Sequence, residues 1–331
     1  MTSPPFAVYH KTVLRTSRQT DKALSRQTNK QTNKQTEPNR HTEKGDNIMT
    51  NNYSYKPEPV FHAARNERTN DSTRYFGVEN EISYRSGVTQ KISSESLSDM
   101  LDEIGGGFTY CKRDVSIDNV RGVELVTHPG TLAYHAKECH WKHLNRTAQK
   151  NGFRSHDATP VCGLHVHVNR VSLGSDETEQ AETIRKMTVM LARHESSVVR
   201  FSRRSSAALS QWAPIPSIPS DYNDIRVYSP HHNDRYTALN VTNDYTVEFR
   251  IFRGTLRRDT IIAALQFVNN WCDYAMSHSW EEVENSDFLD IMRTHEYNEL
   301  NQYLIQRGLL APDVPAISAN ARLCDFQERA S

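Results

Sequence analysis

The sequence predicts an α+β fold with a largely antiparallel sheet, and three observations carry that expectation. Several short segments alternate apolar and polar residues with a period of two, as half-buried strands do. Amphipathic stretches with helical spacing lie among them, but in no regular βαβ alternation. With 331 residues and 36% hydrophobic content, the chain can hold one large domain or two ordinary ones around a substantial core.

Taken in order, the first 48 residues include "TSRQTDKALSRQTNKQTNKQTEPNRHTEKGD", a partly repeated run of Gln, Thr, Asn and Lys with almost nothing large and apolar. Such a segment buries too little surface to offset the entropy of ordering, so residues 1–70 are expected to be disordered or weakly ordered. Reverse translation adds a second expectation. Lys44-Gly45-Asp46 can be written AAA-GGA-GAT, which contains a sequence like a bacterial ribosome-binding site just before Met49. On that reading translation begins at Met49 and the host is a bacterium or a phage.

A strand is expected from Arg74 to Tyr84, then a short helix from Ser94 to Ile104 with Leu97, Met100, Leu101 and Ile104 on one face. Gly105 to Gly107 read as the turn that ends it, because no G-K-[ST] follows to make a phosphate loop. Strands are expected at Phe108–Ile117 and Gly122–Thr127, the second broken by Pro129. A helix from Thr131 to Asn151 and a strand in "VCGLHVHVNRV" come next. A long helix follows from Asp176 to Arg203, acidic at its start and basic at its end, as a helix dipole favours. The Pro-rich "QWAPIPSIPSDYND" is expected to be an irregular loop, long enough to serve as a lid or a binding loop. Strands at Tyr236–Val241 and Thr246–Phe252 flank the turn "TNDY". Thr260–Ser277 is a strongly apolar helix, and Asp287–Leu310 holds one or two more, so residues 279–331 read as a helical extension.

Composition excludes several function classes. The formal charge is zero and the pI about 7.3, so no strong basic field argues for nucleic acid or an anionic membrane. Cys111, Cys139, Cys162, Cys272 and Cys324 form no C-x-x-C pair and are odd in number, which disfavours a disulfide framework and a cysteine zinc ribbon. No run approaches the ~18 to 20 apolar residues of a membrane span. A soluble, cytoplasmic protein is the expectation.

Chemistry concentrates on one face of several strands. In "RYFGVENEIS" Gly77, Glu79, Glu81 and Ser83 share a face, opposite Phe76, Val78 and Ile82. Two carboxylates about 4 Å apart repel by roughly 4 kcal/mol at an effective dielectric near 20, so something positive is expected beside them. In "GLHVHVN" His165, His167 and Asn169 share a face, and in "TVEFRIF" Glu248 and Arg250 do; Glu124 in "GVELVTH" lies between Val123 and Leu125. Singly, each has a structural explanation: a solvated edge, a satisfied H-x-H surface, a cross-strand charge pair. Together they describe a polar cavity rich in oxygen donors with some imidazole, which suits Mg²⁺ or Mn²⁺, and a divalent ion beside an arginine points to phosphate.

The ordered series "FGVENE", "DVSIDNVRGVELVTHP", "CGLHVHVN" and "RYTALN...TVEFRIFRGT", covering roughly Arg74 to Thr255, resembles the amidoligase family. That family is a branch of the glutamine synthetase and glutamate-cysteine ligase superfamily of carboxylate-amine ligases. The resemblance implies a glutamine synthetase-like catalytic domain over residues 71–278, an antiparallel sheet bent into a funnel with flanking helices. It also implies ATP-dependent ligation, in which the γ-phosphate activates a substrate carboxylate and an amine displaces the acyl phosphate. By motif position, Glu79, His165 and Glu248 hold the metal bridging the ATP phosphates, and Glu81 and Glu124 hold a second one nearer the acyl phosphate. Arg250 neutralises the transferring phosphate or the substrate carboxylate, with Arg253 and Arg235 as further phosphate contacts. His167, Asn169, Asn240 and Ser116 become cofactor-binding positions, Asp114 and Ser116 matching a D-x-S stretch. The implied cofactors are ATP and Mg²⁺ or Mn²⁺, and the partners a small-molecule or peptide carboxylate and an amine. Two departures stand out: Asn80 replaces an apolar residue, and "THPG" replaces the common S-P-P after "ELV".

Two other classes compete. A metal-dependent hydrolase would use His165, His167 and an acid, with His135, Cys139 and His143 aligned at i, i+4, i+8 on one helix face; no H-E-x-x-H motif supports it. A nucleic-acid-binding protein would use "RFSRRSS" and "RGTLRRD", against the neutral charge.

Overall fold

The alternating segments pair into one sheet. Its strands are β1 (Phe76–Tyr84), β2 (Thr109–Lys112), β3 (Val123–Thr127), β4 (Phe153–Arg154), β5 (Gly163–Asn169), β6 (Leu239–Asn240) and β7 (Thr246–Arg253). They run in the order β2-β3-β1-β5-β7-β6, with β4 paired to the end of β1, and every pairing is antiparallel. Ten helices accompany them among the described residues, so the class is α+β with an open antiparallel sheet. This computed structural model describes residues 57–84, 91–113, 117, 122–155, 162–217 and 235–312. All the elements lie in the larger of two compact units, Thr50–Arg68 with Ser72–Ser331. The expectations for Met49, for Asp114 and Ser116, for the second half of the Pro-rich loop and for residues 313–331 fall outside the described residues.

One face of the sheet is apolar because the alternation makes it so. Phe76, Val78 and Ile82 of β1, Leu164, Val166 and Val168 of β5, and Val247, Phe249 and Ile251 of β7 are all buried in a single core. The helix α7 (Arg258–Ser277) packs on that side, against β5, and is buried on nearly every side, Ile261 through Cys272 without interruption. A helix apolar all round must be covered all round. The cover comes from α4 (Glu177–Arg193), α9 (Phe288–Met292) and α10 (Asn298–Gln306). Trp271 at its centre stacks on Phe267 at 5.0 Å, and its indole N–H donates to the Met187 carbonyl at 3.1 Å. Trp271→Ala should therefore cost about 3–5 kcal/mol, through a cavity and an orphaned carbonyl. A thermal melt should show the midpoint falling on the order of 10 °C; an unchanged midpoint would mean the helix is not the core's centre.

Helix ends follow local chemistry. α1 (Ser94–Gly105) starts at Ser93, whose side chain accepts the Ser96 N–H, and stops where Gly106 (φ 57°) and Gly107 (φ 83°) adopt left-handed backbone. The helix expected over 131–151 divides into α2 (Leu132–Lys137) and α3 (Trp141–Lys150). The N–H groups of Glu138 and Cys139 both bond to the Tyr134 carbonyl, closing the first helix, and Trp141 is then fully buried. The helix expected over 176–203 likewise bends at His194, between α4 and α5 (Glu195–Ser202). There the imidazole Nε2 lies 3.1 Å from Ser286 Oγ and the ring meets Trp271 edge-on. Apolar spacing continues across both breaks, so periodicity alone cannot reveal them. α6 (Ser206–Trp212) and α8 (Trp280–Asn285) complete the set, the latter opened by a Ser279–Glu282 capping box.

Residues 57–68, expected at the end of a weakly ordered segment, are tied to the "THPG" turn. His62 N–H donates to the Pro129 carbonyl and Thr131 N–H to the His62 carbonyl, both at 2.9 Å. Glu67 accepts from Ala64 N–H and Thr131 Oγ1.

His135 sits beneath that turn, fully buried, stacked on Trp141 and edge-on to Phe108. Its Nε2 is 2.9 Å from the Phe76 carbonyl, which can only accept, so Nε2 carries the proton. Burial pushes its pKa down to about 4. Between about 4 and 6.5 the unfolded chain binds a proton that the folded chain refuses, so this contribution is complete above pH 6.5 and disappears as pH falls toward 4. The amount is about 3 kcal/mol. Asp102, pushed up to about 6 by burial, contributes with the opposite sign over much of the same range. The test is therefore a difference: urea unfolding of wild type and His135→Gln at pH 7 and pH 4. Wild type should lose about 3 kcal/mol more than the variant on acidification. Equal losses would remove His135 as the cause. No described helix is long and apolar enough to cross a membrane.

Candidate functional site

The second face of the sheet is polar, and register decides which groups meet. Lys112 stands opposite Glu124, and Glu124 opposite Glu81, in one row across β2, β3 and β1. Glu79 stands opposite His165 in the next row. Gly77, His167, Glu248 and Asn240 form a third across β1, β5, β7 and β6. Cross-strand neighbours on one face lie about 4.5–5.5 Å apart at Cβ, so these side chains share one volume. Glu81, Glu124, His165 and Glu248 are buried there, and Glu79 and His167 nearly so.

Distances bear this out. His165 Nδ1 is 3.3 Å from Glu248 Oε1 and 3.5 Å from Glu79 Oε2, and its Nε2 is 4.0 Å from Glu81 Oε1. His167 Nε2 is 3.3 Å from Glu79 Oε1 and 4.0 Å from Glu248 Oε1. Arg250 Nη1 donates to Glu248 Oε1 at 2.5 Å, and Asn240 Nδ2 to Glu248 Oε2 at 2.7 Å. Glu81 Oε2 accepts the Gly163 N–H, and Ser155 Oγ fixes the Glu81 carbonyl. Burial by itself would raise the Glu79 carboxyl, but His167 and His165 hold it well below the usual carboxylate range. Glu248 is held below its ordinary value in the same way, by His167, His165 and Arg250 against burial. Both are ionised at neutral pH.

A β-bulge refines the arginine set. The register between β5 and β7 shifts between Leu164 and Val166, so Arg250 and Ile251 together span the position opposite His165, with Ile251 in the core. Phe252 then pairs with Leu164 in the core and Arg253 with Gly163 on the polar face, where simple alternation would reverse them. Arg235 is exposed and lies over the Tyr236 ring at 5.0 Å, with the Arg250 guanidinium 5.7 Å from the same ring. Asn169 engages both polar ends on backbone, accepting from Tyr75 N–H and donating to the Thr73 carbonyl. It therefore anchors the approach to β1. Ser116 lies outside the described residues.

Among the described residues, two groups of side chains have donor atoms mutually within 4.8 Å: Glu79, Glu124 and His165, and Glu79, His167 and Glu248. Glu79 belongs to both. His135, Cys139 and His143 belong to neither, because the break between α2 and α3 separates them and His135 points into the core. The residues present fit a divalent cation on two counts. His165 Nε2 is buried and makes no hydrogen bond among the described residues. The donors are carboxylate oxygens with imidazole nitrogen, the set Mg²⁺ and Mn²⁺ accept.

Three site residues escape local sequence reasoning. Lys112 Nζ is 3.6 Å from Glu124 Oε2. Arg204, buried, donates from Nη1 to the Arg250 carbonyl at 2.7 Å; burial lowers its pKa and Glu81 opposes that. An ideal Cβ on Gly163 would come within 2.8 Å of His165 Nε2 and 3.2 Å of Arg204 Nη1, so glycine leaves these two groups their room. The signal for Arg204 was the pair in "RFSRRSS". Arg203 caps α5 with φ 59° and so turns its successor inward, which the sequence does not announce. Asn80, on the core face, clasps Thr255: its Nδ2 donates to the Thr255 carbonyl at 2.8 Å and its Oδ1 accepts the Thr255 N–H at 3.3 Å. The polar replacement in an apolar strand thus fixes the chain leaving β7.

No family model and no curated protein matches this chain. Among solved structures, similar chains include the complex between prokaryotic ubiquitin-like protein Pup and its ligase PafA, at 11% identity and a TM-score of 0.34 over 62% of this chain and 47% of that one. Another is apo GmaS without ligand, at 14% identity and a TM-score of 0.36 over 78% of this chain and 70% of that one. This chain spans about half the length of the first. At these scores the likeness carries no argument about its chemistry.

Proposed function

We propose that the polar face of this sheet carries out ATP-dependent carbon–nitrogen ligation, joining a carboxylate and an amine through an acyl phosphate. The observation that supports this most is the setting of Glu248. Its carboxylate touches an oxygen-and-imidazole cation set on one side and a buried guanidinium, Arg250, on the other. A carboxylate is a poor electrophile, and phosphorylation gives it a leaving group. The substrate oxygen attacks the γ-phosphorus as ADP leaves; the amine nitrogen then attacks the acyl carbon as inorganic phosphate leaves, with loss of a proton from nitrogen. Glu79, His167 and Glu248, with His165 beside them, are the residues that would hold Mg²⁺ or Mn²⁺. Bound there, the ion would neutralise polyphosphate charge as the phosphoryl group transfers.

The chain's own groups do the rest. Arg250 would be presented to a phosphoryl oxygen or a substrate carboxylate, held at its Nη1 by Glu248 and at its backbone carbonyl by Arg204. Arg253 flanks it on the same face. Asn240 orients Glu248 while its own Oδ1 accepts from Thr242 N–H and Oγ1. Residues 71–278 would carry the catalytic face, bent as a funnel, and 279–331 a helical extension. The substrates would be a small-molecule or peptide carboxylate and an amine.

An ADP-release screen tests the reading. Purified protein with Mg²⁺, ATP and pools of amino acids, polyamines and peptides should release ADP only when both a carboxylate and an amine are present, with a mass-spectrometric product lighter than their sum by one water. Stoichiometric zinc in the purified protein, with no ADP from any pool, would instead favour hydrolysis.

A further inference from the structure

Lys112 poses a question the ligase reading leaves open. Lysine is among the residues least often buried, yet Lys112 and Glu124 are both 3% exposed, on adjacent strands in direct register. Its ammonium is a compact point charge, the organic side chain nearest in character to a small cation. The row it begins, Lys112–Glu124–Glu81, sets two acids side by side on the polar face. Glu81 Oε2 accepts the Gly163 N–H, and its Oε1 lies 4.0 Å from His165 Nε2. His165, whose Nε2 is buried and without a hydrogen bond among the described residues, forms a donor set with Glu124 and Glu79.

Charge balance bears on occupancy. Among the described residues of this face, Glu79, Glu81, Glu124 and Glu248 bring four negative charges and Lys112, Arg204, Arg250 and Arg253 four positive ones. With both imidazoles neutral these formal charges cancel. A first divalent ion makes the face positive, and a second would leave it strongly positive until a polyphosphate arrives. Arg250 does not play the same part, because its planar fork can hold Glu248 with one nitrogen and still offer others.

We propose that Lys112 occupies the second cation position beside Glu124, so that the nucleotide-free protein takes up one divalent ion, and that removing this ammonium opens a second ion site on Glu124, Glu79 and His165. The proposal rests on the ligase reading for the first ion.

The test is an Mn²⁺ titration without nucleotide, counting free ion by electron paramagnetic resonance. Wild type should bind one Mn²⁺. Lys112→Gln should bind two, the second roughly 10- to 100-fold tighter than any second ion in wild type. Lys112→Arg, which keeps the charge, should bind one. Two ions of like affinity in wild type, or a single ion in a folded Lys112→Gln, overturns the proposal while the ligase reading stands. No ion in any of the three overturns both. The wild-type and Lys112→Arg counts decide the first half even if the neutral variant does not fold.

Discussion

Glu79→Gln is expected to abolish ADP release, by at least about 10³-fold, while the protein remains folded. Glu79 is the one carboxylate common to both candidate cation groups, and its two oxygens face different imidazoles, Oε1 toward His167 and Oε2 toward His165. An amide keeps the shape and hydrogen-bonding capacity but removes the charge that holds a hard cation. Loss of one charge-stabilising group in such a site costs about 10²–10³ in turnover, and here the group serves two donor sets. The second readout needs no substrate. At Mn²⁺ a hundredfold above its dissociation constant, wild type gains about 2.7 kcal/mol of stability, or roughly 5–10 °C in melting temperature. Glu79→Gln should show no such rise. A variant that still melts higher with Mn²⁺ and still releases ADP would place the cation elsewhere.

Arg250→Met should act on stability and activity together. The guanidinium is buried against Glu248 and carried on a backbone carbonyl that Arg204 grips. Removing one member of a buried ion pair leaves the other uncompensated and costs about 3–5 kcal/mol. Part of that should return in the double variant with Glu248→Gln, because the orphaned charge is gone, and this non-additivity is the signature of a direct pair. Turnover should not return with it: a cation aimed at developing phosphoryl charge contributes about 10²–10³, and the double variant lacks it. Urea unfolding and ADP release on the three proteins separate the two roles. Additive stability effects, or activity restored in the double variant, would contradict the pairing or the catalytic role respectively.

What was legible in the sequence follows from what a strand encodes locally. Period-two alternation put Glu79 with Glu81, His165 with His167 and Glu248 with Arg250 on polar faces, and the structure gathers all six in one volume. Which of them touch is a matter of register, fixed by long-range pairing that no single segment contains. Hence His167 forms one donor group with Glu79 and Glu248, while His165, in a second group with Glu79 and Glu124, also lies 3.3 Å from Glu248 and 3.5 Å from Glu79. Lys112 escaped notice for the same reason, since it is the pairing of β2 with β3 that sets it beside Glu124. The bulge in β7 sets Phe252 in the core and Arg253 on the polar face, where unbroken alternation would reverse them, and such an extra residue leaves no mark on composition. The helices were legible in position but not in continuity. Their breaks at 138–140 and His194 depend on burying Trp141 and on contacts to Ser286 and Trp271. Residues 57–68 looked too polar to order by themselves, and they hold their place through backbone bonds to a turn about 70 positions away.

The most direct measurement is anomalous diffraction from crystals grown with Mn²⁺ and a non-hydrolysable ATP analogue. A manganese peak coordinated by Glu79 and Glu248 with an imidazole from β5, and a phosphate oxygen within hydrogen-bond reach of Arg250, is the predicted result. Manganese bound away from Glu79 and Glu248, or a triphosphate lying on another surface while this face stays bare, would contradict it.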